Sequence, residues 1–208
     1  SEIISYSLKD EEYNYQYAQK WELARLKLEE GETLTIKDLI YSSLVGSANN
    51  TVETLVRASG IKRDAFIAKM NETVKNWGCY STFFVEPTGL SPENLSSAQD
   101  YVIITKEALK YPLIQKATQA SEYKFFTIKD GKKKQHRIIN TNKIILSNDF
   151  KITGSKTGYL EEAGYCLMTR VEAAGGKQII VVTLGAPSRD ASFNETEELI
   201  EYGLRKIK

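Results

Sequence analysis

Two short stretches of this chain carry side chains that could do nucleophilic and electrostatic chemistry together. Ser47-Ala48-Asn49 offers a hydroxyl and a carboxamide; Lys156-Thr157-Gly158 offers an ammonium, a second hydroxyl and a residue without a side chain. A glycine in a strand lets the backbone of a bound substrate approach closely. Each stretch also has a plainer reading, Ser47 or Asn49 as a helix N-cap and Lys156 as an ordinary strand-edge residue. Their placement favours chemistry: Ser47 and Asn49 fall at a break between two apolar-periodic segments, and Lys156 heads a strand behind Gly154-Ser155. Other reactive side chains are less well placed. Cys79 and Cys166 are far apart, and Cys166 lies in the apolar run Tyr165-Cys166-Leu167-Met168, so both read as packing residues. One histidine, His136, and two isolated cysteines do not make a zinc ligand set, and neither a metal nor a cofactor is expected. His136 reads as packed or surface-lying, and Lys132-Lys133-Lys134 as a solvated hairpin tip.

The elements that must position these groups follow from periodicity and punctuation. Residues 2–6 read as a short strand. Tyr13, Tyr17, Trp21, Ala24 and Leu28 recur at helical spacing while Leu26 and Leu28 alternate as in a strand, which leaves that stretch open. Thr35-Ile36-Lys37-Asp38 is a capping box, followed by the apolar face Ile36, Leu39, Ile40 and Leu44. Gly46 ends that helix, and Val52, Leu55 and Val56 begin the next. A third is expected over about 64–77, with Phe66, Met70, Val74 and Trp77 facing inward. Glu86-Pro87-Thr88-Gly89-Leu90 reads as a turn. Ser97-Ala98-Gln99-Asp100 is a second capping box, opening a helix that Pro112 interrupts. Asp130-Gly131 between two alternating runs signals a hairpin. Three more antiparallel strands are expected at 156–159, 165–171 and 178–184, and an amphipathic helix at 193–207. The fold class is therefore α+β: one domain over 1–208, mostly helical over 35–120, with hairpin, sheet and closing helix over 121–208.

Composition bounds the function. Lys and Arg number 28 against 27 Asp and Glu, so the net charge is +1, and no basic arm or patch marks a nucleic-acid partner. No apolar run approaches the ~18 residues a membrane span needs. With 41% hydrophobic residues the chain can build a full core.

In their order and with their flanks, the two stretches resemble the low-molecular-mass penicillin-binding proteins, the serine-type D-alanyl-D-alanine carboxypeptidases, whose superfamily carries Ser-x-x-Lys, Ser-Asp-Asn and Lys-Thr-Gly motifs. The likeness extends through 31–40, through Glu86–Leu90 with 94–100, through Asn140-Thr141-Asn142-Lys143-Ile144-Ile145, and through 154–170, covering roughly 26–207. The resemblance implies the transpeptidase fold of penicillin-binding proteins and β-lactamases, with a helical block packed on an antiparallel sheet. It implies acyl transfer through a serine ester, with attack on the penultimate D-Ala carbonyl, loss of the terminal D-Ala, and hydrolysis. Ser47 would relay a proton to the leaving group, Asn49 would bind the substrate backbone, and Lys156 would supply positive potential and a hydrogen bond to Ser47. Thr157 would hold the terminal carboxylate, Gly158 would let the substrate approach, and the Tyr159 amide would donate to the oxyanion. A peptidoglycan stem peptide and β-lactams are the implied partners, and the bacterial cell envelope or exterior the implied location.

The chain also departs from the family. The nucleophile motif belongs well upstream of Ser47, further than the 46 preceding residues allow. Two Ser-x-x-Lys strings, Ser59–Lys62 and Ser121–Lys124, both follow Ser47 and read as chance matches. Ser192-Phe193 stands where many relatives carry an Arg for the substrate carboxylate, and Arg189 is the nearby substitute in what reads as a solvated loop. The first strands and nucleophile helix of the fold are therefore expected on a further N-terminal segment, with this chain the larger part of the enzyme. The alternatives are a domain that has lost catalysis and binds peptidoglycan or a protein, and a class A β-lactamase-like hydrolase. The last is disfavoured by Ser-Ala-Asn in place of Ser-Asp-Asn and by the lack of a convincing deacylating Glu loop.

Overall fold

The computed structural model of this chain describes residues 2–19, 23–147 and 149–207. Thr35 opens α2 (Ile36–Val45) with a complete capping box: Asp38 N donates to Thr35 Oγ1 at 3.1 Å, and Thr35 N to Asp38 Oδ2 at 3.0 Å. The other helices are α1 (Lys9–Glu12), α3 (Asn49–Ala58), α4 (Arg63–Asn76), α5 (Ala98–Ala108), α6 (Pro112–Thr118), α7 (Ile144–Ser147) and α8 (Arg189–Lys206). Ser97 caps α5, but Asp100 does not reciprocate. Its carboxylate accepts instead from Ser81 N and Thr82 Oγ1, both at 2.8 Å, which ties the preceding loop to the helix. Pro112 sits in the first turn of α6, where its missing N–H costs nothing.

The strands form two sheets. β1 (Ile3–Ser5), β2 (Thr33–Thr35), β3 (Glu122–Lys129) and β4 (Lys132–Ile139) pair antiparallel in that order, with Asp130 and Gly131 both at positive φ in the β3–β4 turn. β5 (Ile152–Leu160), β6 (Gly164–Glu172) and β7 (Gln178–Ala186) make the second sheet. The hairpin thus belongs with the N-terminal strands and not with the sheet that holds Lys156. Its alternating Phe125 packs into a core of Tyr6, Leu26, Leu28, Leu34 and Leu39. The second sheet buries Leu167 against Phe193 and Ile144, and Val171 and Val181 against Ile200 of α8.

Several expectations need correction. Over 23–29 the chain takes no regular structure although Leu26 and Leu28 are buried, and Trp21 lies outside the described residues. On α4, Val74 is buried while Phe66, Met70 and Trp77 are half-exposed. α8 starts at Arg189, four residues before its apolar stripe, because Ser188 caps it by accepting from Ala191 N at 3.1 Å. Cys166 is partly exposed on β6, opposite Gly158, so it is not the buried packing residue expected. Of the two readings of His136, packed or surface-lying, the packed one holds: it is buried on β4, shares a hydrogen bond with Thr127 and stacks on Phe125, and burial lowers its pKa.

Candidate active site

The break between α2 and α3 is a turn held from several sides. The amides of Gly46 and Ala48 both donate to Ser42 O, at 3.2 and 3.1 Å, and Ser47 between them takes φ +55°, a left-handed conformation that ordinary residues avoid. The N-cap of α3 is Ala48, which has no capping side chain, so neither Ser47 nor Asn49 is used as a cap. Instead the Asn49 amide donates to Ala24 O at 2.7 Å. The Ser47 hydroxyl is therefore left for another partner. It receives a hydrogen bond from Lys156 Nζ at 2.5 Å, which joins the two motifs across 109 residues of chain.

Lys156 reaches Ser47 from β5, the edge strand of the second sheet, and its ammonium also donates to Thr157 O at 2.6 Å. The residue as a whole keeps some exposure, but the ammonium is sunk between the motifs, and burial lowers its pKa to about 8. At neutral pH it remains mostly protonated, a positive charge inside a wall with no carboxylate against it among the described residues. Asn49 is buried, and its Nδ2 makes a long contact of 3.5 Å to Thr88 O in the turn after Glu86. That turn is organised by the buried Glu86 carboxylate, which accepts from the amides of Thr88, Gly89, Leu90 and Ser91 and from Asn94 Nδ2. With its oxygens so occupied, Glu86 is a turn-builder and not a free base.

Thr157, Gly158 and Tyr159 continue along β5, and Arg189 comes from α8. Thr157 shares a 2.5 Å hydrogen bond with Thr141 Oγ1. Thr141 escaped the sequence reading as a site residue, yet it links three elements. Its amide donates to Val45 O at the end of α2 at 3.3 Å, and its carbonyl accepts from Arg189 Nη2 at 2.9 Å. Its place in Asn140-Thr141-Asn142 was the available signal. Arg189 is the first residue of α8 and not a loop residue; it lies one turn before Phe193 on the same helix face, with its guanidinium over the Phe193 ring. Phe193 itself is committed to the core. Gly158 and Tyr159 are exposed along β5, and Tyr159 packs on Tyr165 at 4.3 Å between ring centroids. No strand covers the outer edge of β5 among the described residues.

Neither Ser-x-x-Lys string opens a helix. Ser59 ends α3 with its hydroxyl on Val56 O, and Ser121 leads into β3, where Lys124 pairs with Glu122.

The chain is similar to known proteins in sequence and in fold. A family model described as D-alanyl-D-alanine carboxypeptidase matches residues 6–188. The chain is 30% identical to the D-alanyl-D-alanine carboxypeptidase DacF of Bacillus subtilis over 186 residues, 89% of this chain and 46% of that protein. It is 38% identical to a D-alanyl-D-alanine endopeptidase of Haemophilus influenzae over 142 residues, 68% of this chain and 47% of that one. The chain thus spans about half the length of these curated relatives. The crystal structure of the Streptomyces K15 DD-transpeptidase superposes with a TM-score of 0.87 at 24% identity, covering 98% of this chain and 79% of that one. On a family match over most of its length, and on a relative that shares 38% of its residues over two thirds of this chain, the chain belongs to the serine-type D-alanyl-D-alanine carboxypeptidase family.

Proposed function

We propose that the enzyme containing this chain is a D-Ala-D-Ala carboxypeptidase of peptidoglycan maturation, acting outside the cytoplasm through an acyl-enzyme and open to acylation by β-lactams. The observation that carries this reading is the 2.5 Å contact of a buried ammonium with Ser47, beside an edge of β5 that no strand covers among the described residues. The nucleophile belongs to a Ser-x-x-Lys helix outside these 208 residues. Its hydroxyl oxygen bonds to the penultimate D-Ala carbonyl carbon, the C–N bond to the terminal D-Ala breaks, and the departing amine takes a proton passed through Ser47. Water then cleaves the ester and frees the serine. Lys156 stabilises negative charge as it develops and holds Ser47 in place; a positioned charge in a water-poor wall is worth far more than one in bulk water. Thr157 with Arg189, linked through Thr141, suits the substrate's terminal carboxylate, and Asn49 its backbone.

D-Ala release from a D-Ala-D-Ala-terminated stem peptide by the full-length protein tests the reading. Lys156→Ala should lower that rate at least ~100-fold, the scale of losing one electrostatic donor. A variant that works at the wild-type rate removes Lys156 from the mechanism. Absence of D-Ala release from the wild-type protein would favour a domain that has lost catalysis.

A further inference from the structure

The wall that carries Ser47 and Asn49 has no cap of its own, so something else must hold the start of α3. Asn50, the next residue, is buried to 1% exposure and has both polar atoms of its side chain engaged. Its Oδ1 accepts from Leu26 N at 3.0 Å, and its Nδ2 donates to Leu26 O at 2.9 Å. The carboxamide therefore pairs with both backbone groups of Leu26, as a neighbouring strand would. The same Nδ2 meets Tyr6 OH and Glu11 Oε1, each at 3.1 Å. Glu11 is buried, and it also meets the Arg25 guanidinium at 2.6 Å and the Tyr15 and Tyr6 hydroxyls. Two residues before Leu26, Ala24 O takes the Asn49 amide at 2.7 Å. Residues 24–26 thus run as a strap across the first turn of α3, fastened at Asn49 by backbone and at Asn50 by side chain.

We propose that Asn50 is a positioning residue for acyl transfer: by clamping the first turn of α3 to the strap 24–26, it holds Ser47 and Asn49 in register with Lys156. A carboxamide suits this place for a specific reason. Aspartate would lose the donor to Leu26 O and set a second carboxylate 3.1 Å from Glu11. An apolar residue would strand the Leu26 amide and carbonyl inside the protein, where an unmade hydrogen bond is costly. A second fastening lies one turn further along α3, where Thr54 Oγ1 meets Asp10 at 2.9 Å and Arg57 pairs with the same carboxylate. Thr54 Oγ1 also reaches the Asn50 carbonyl at 2.9 Å, but it leaves the Asn50 carboxamide, the strap and the motif turn untouched.

That second fastening supplies the control. In the full-length protein, Asn50→Ala and Asn50→Asp are compared with Thr54→Val by thermal melting, by the rate of acylation with a fluorescent penicillin, and by the titration of Lys156 in NMR of 13Cε-labelled lysine. The rate measurement rests on the function proposed above, whereas the titration is read whether or not the protein is acylated, so failure of one is distinguishable from failure of the other. All three variants should melt earlier. The two at Asn50 should acylate at least ~10-fold more slowly, since a misplacement of ~1 Å can cost ~100-fold. Their Lys156 pKa should move up from about 8 toward 10.5 as water reaches the ammonium, while Thr54→Val keeps both values. Asn50→Ser, which retains a small polar group, carries the test if the Ala variant does not fold. An Asn50 variant that matches Thr54→Val in rate and in Lys156 titration overturns the proposal.

Discussion

Ser47 carries a backbone strain that glycine would not. A non-glycine residue in the left-handed region costs of order 1–3 kcal/mol, and here two hydrogen bonds to Ser42 O flank it and enforce the conformation. Ser47→Gly should therefore melt no earlier than wild type, yet D-Ala release should fall ~100-fold or more with the loss of the hydroxyl. Melting and turnover measured on the same sample check the pair, and a Gly variant with full turnover would leave Ser47 without a chemical role. Lys156 sets a second expectation. Its charged form is lost as pH rises through about 8, well below the ordinary lysine range, so acylation should fall with a midpoint near 8. Stability moves the other way. Between about 8 and 10.5 the unfolded chain binds more protons at this site than the folded one, so the burden of the buried ammonium eases as pH rises. Comparing wild type with Lys156→Met across that window isolates both trends.

At the scale of elements, what was legible in the sequence followed from local signals. The Thr35 box, the Asp130-Gly131 turn and the break at Gly46 each have a short-range cause, and each appears where the residues place it. The start of α8 was missed because its first turn, Arg189 to Ser192, is polar and hides from apolar periodicity, although Ser188 was an available cap signal. The split into two sheets was illegible, since only the pairing of Thr33 with Ile128 across 95 residues assigns the hairpin to its sheet. The motifs of the site were readable as residue types; the connections through Thr141, Ala24 and Asn50 were not, because they are made by backbone groups, by a threonine hydroxyl and by a carboxamide of kinds common in any loop. The Glu86 turn illustrates the energetic side. Its carboxylate satisfies four successive backbone amides, and Glu86→Ala would leave them without that partner. A loss of at least about 2 kcal/mol is expected in denaturant unfolding, together with slower acylation, because Asn49 leans on Thr88 O. An unchanged unfolding midpoint would show that water replaces the carboxylate at no cost.

For the whole molecule, the helical block brings Ser47 and Asn49, the second sheet brings Lys156 and Thr157, and the contact between them is the centre of the account. Ser59 closes α3 and Ser121 lies just before β3, so neither Ser-x-x-Lys serine opens a helix. The most direct test is fluorescent penicillin labelling of the full-length protein, followed by peptide mapping of the labelled serine. The account predicts one ester, on a Ser-x-x-Lys serine outside residues 1–208, formed at least ~100-fold more slowly in Lys156→Ala. Label on Ser59 or Ser121, or labelling at the wild-type rate without Lys156, would contradict it.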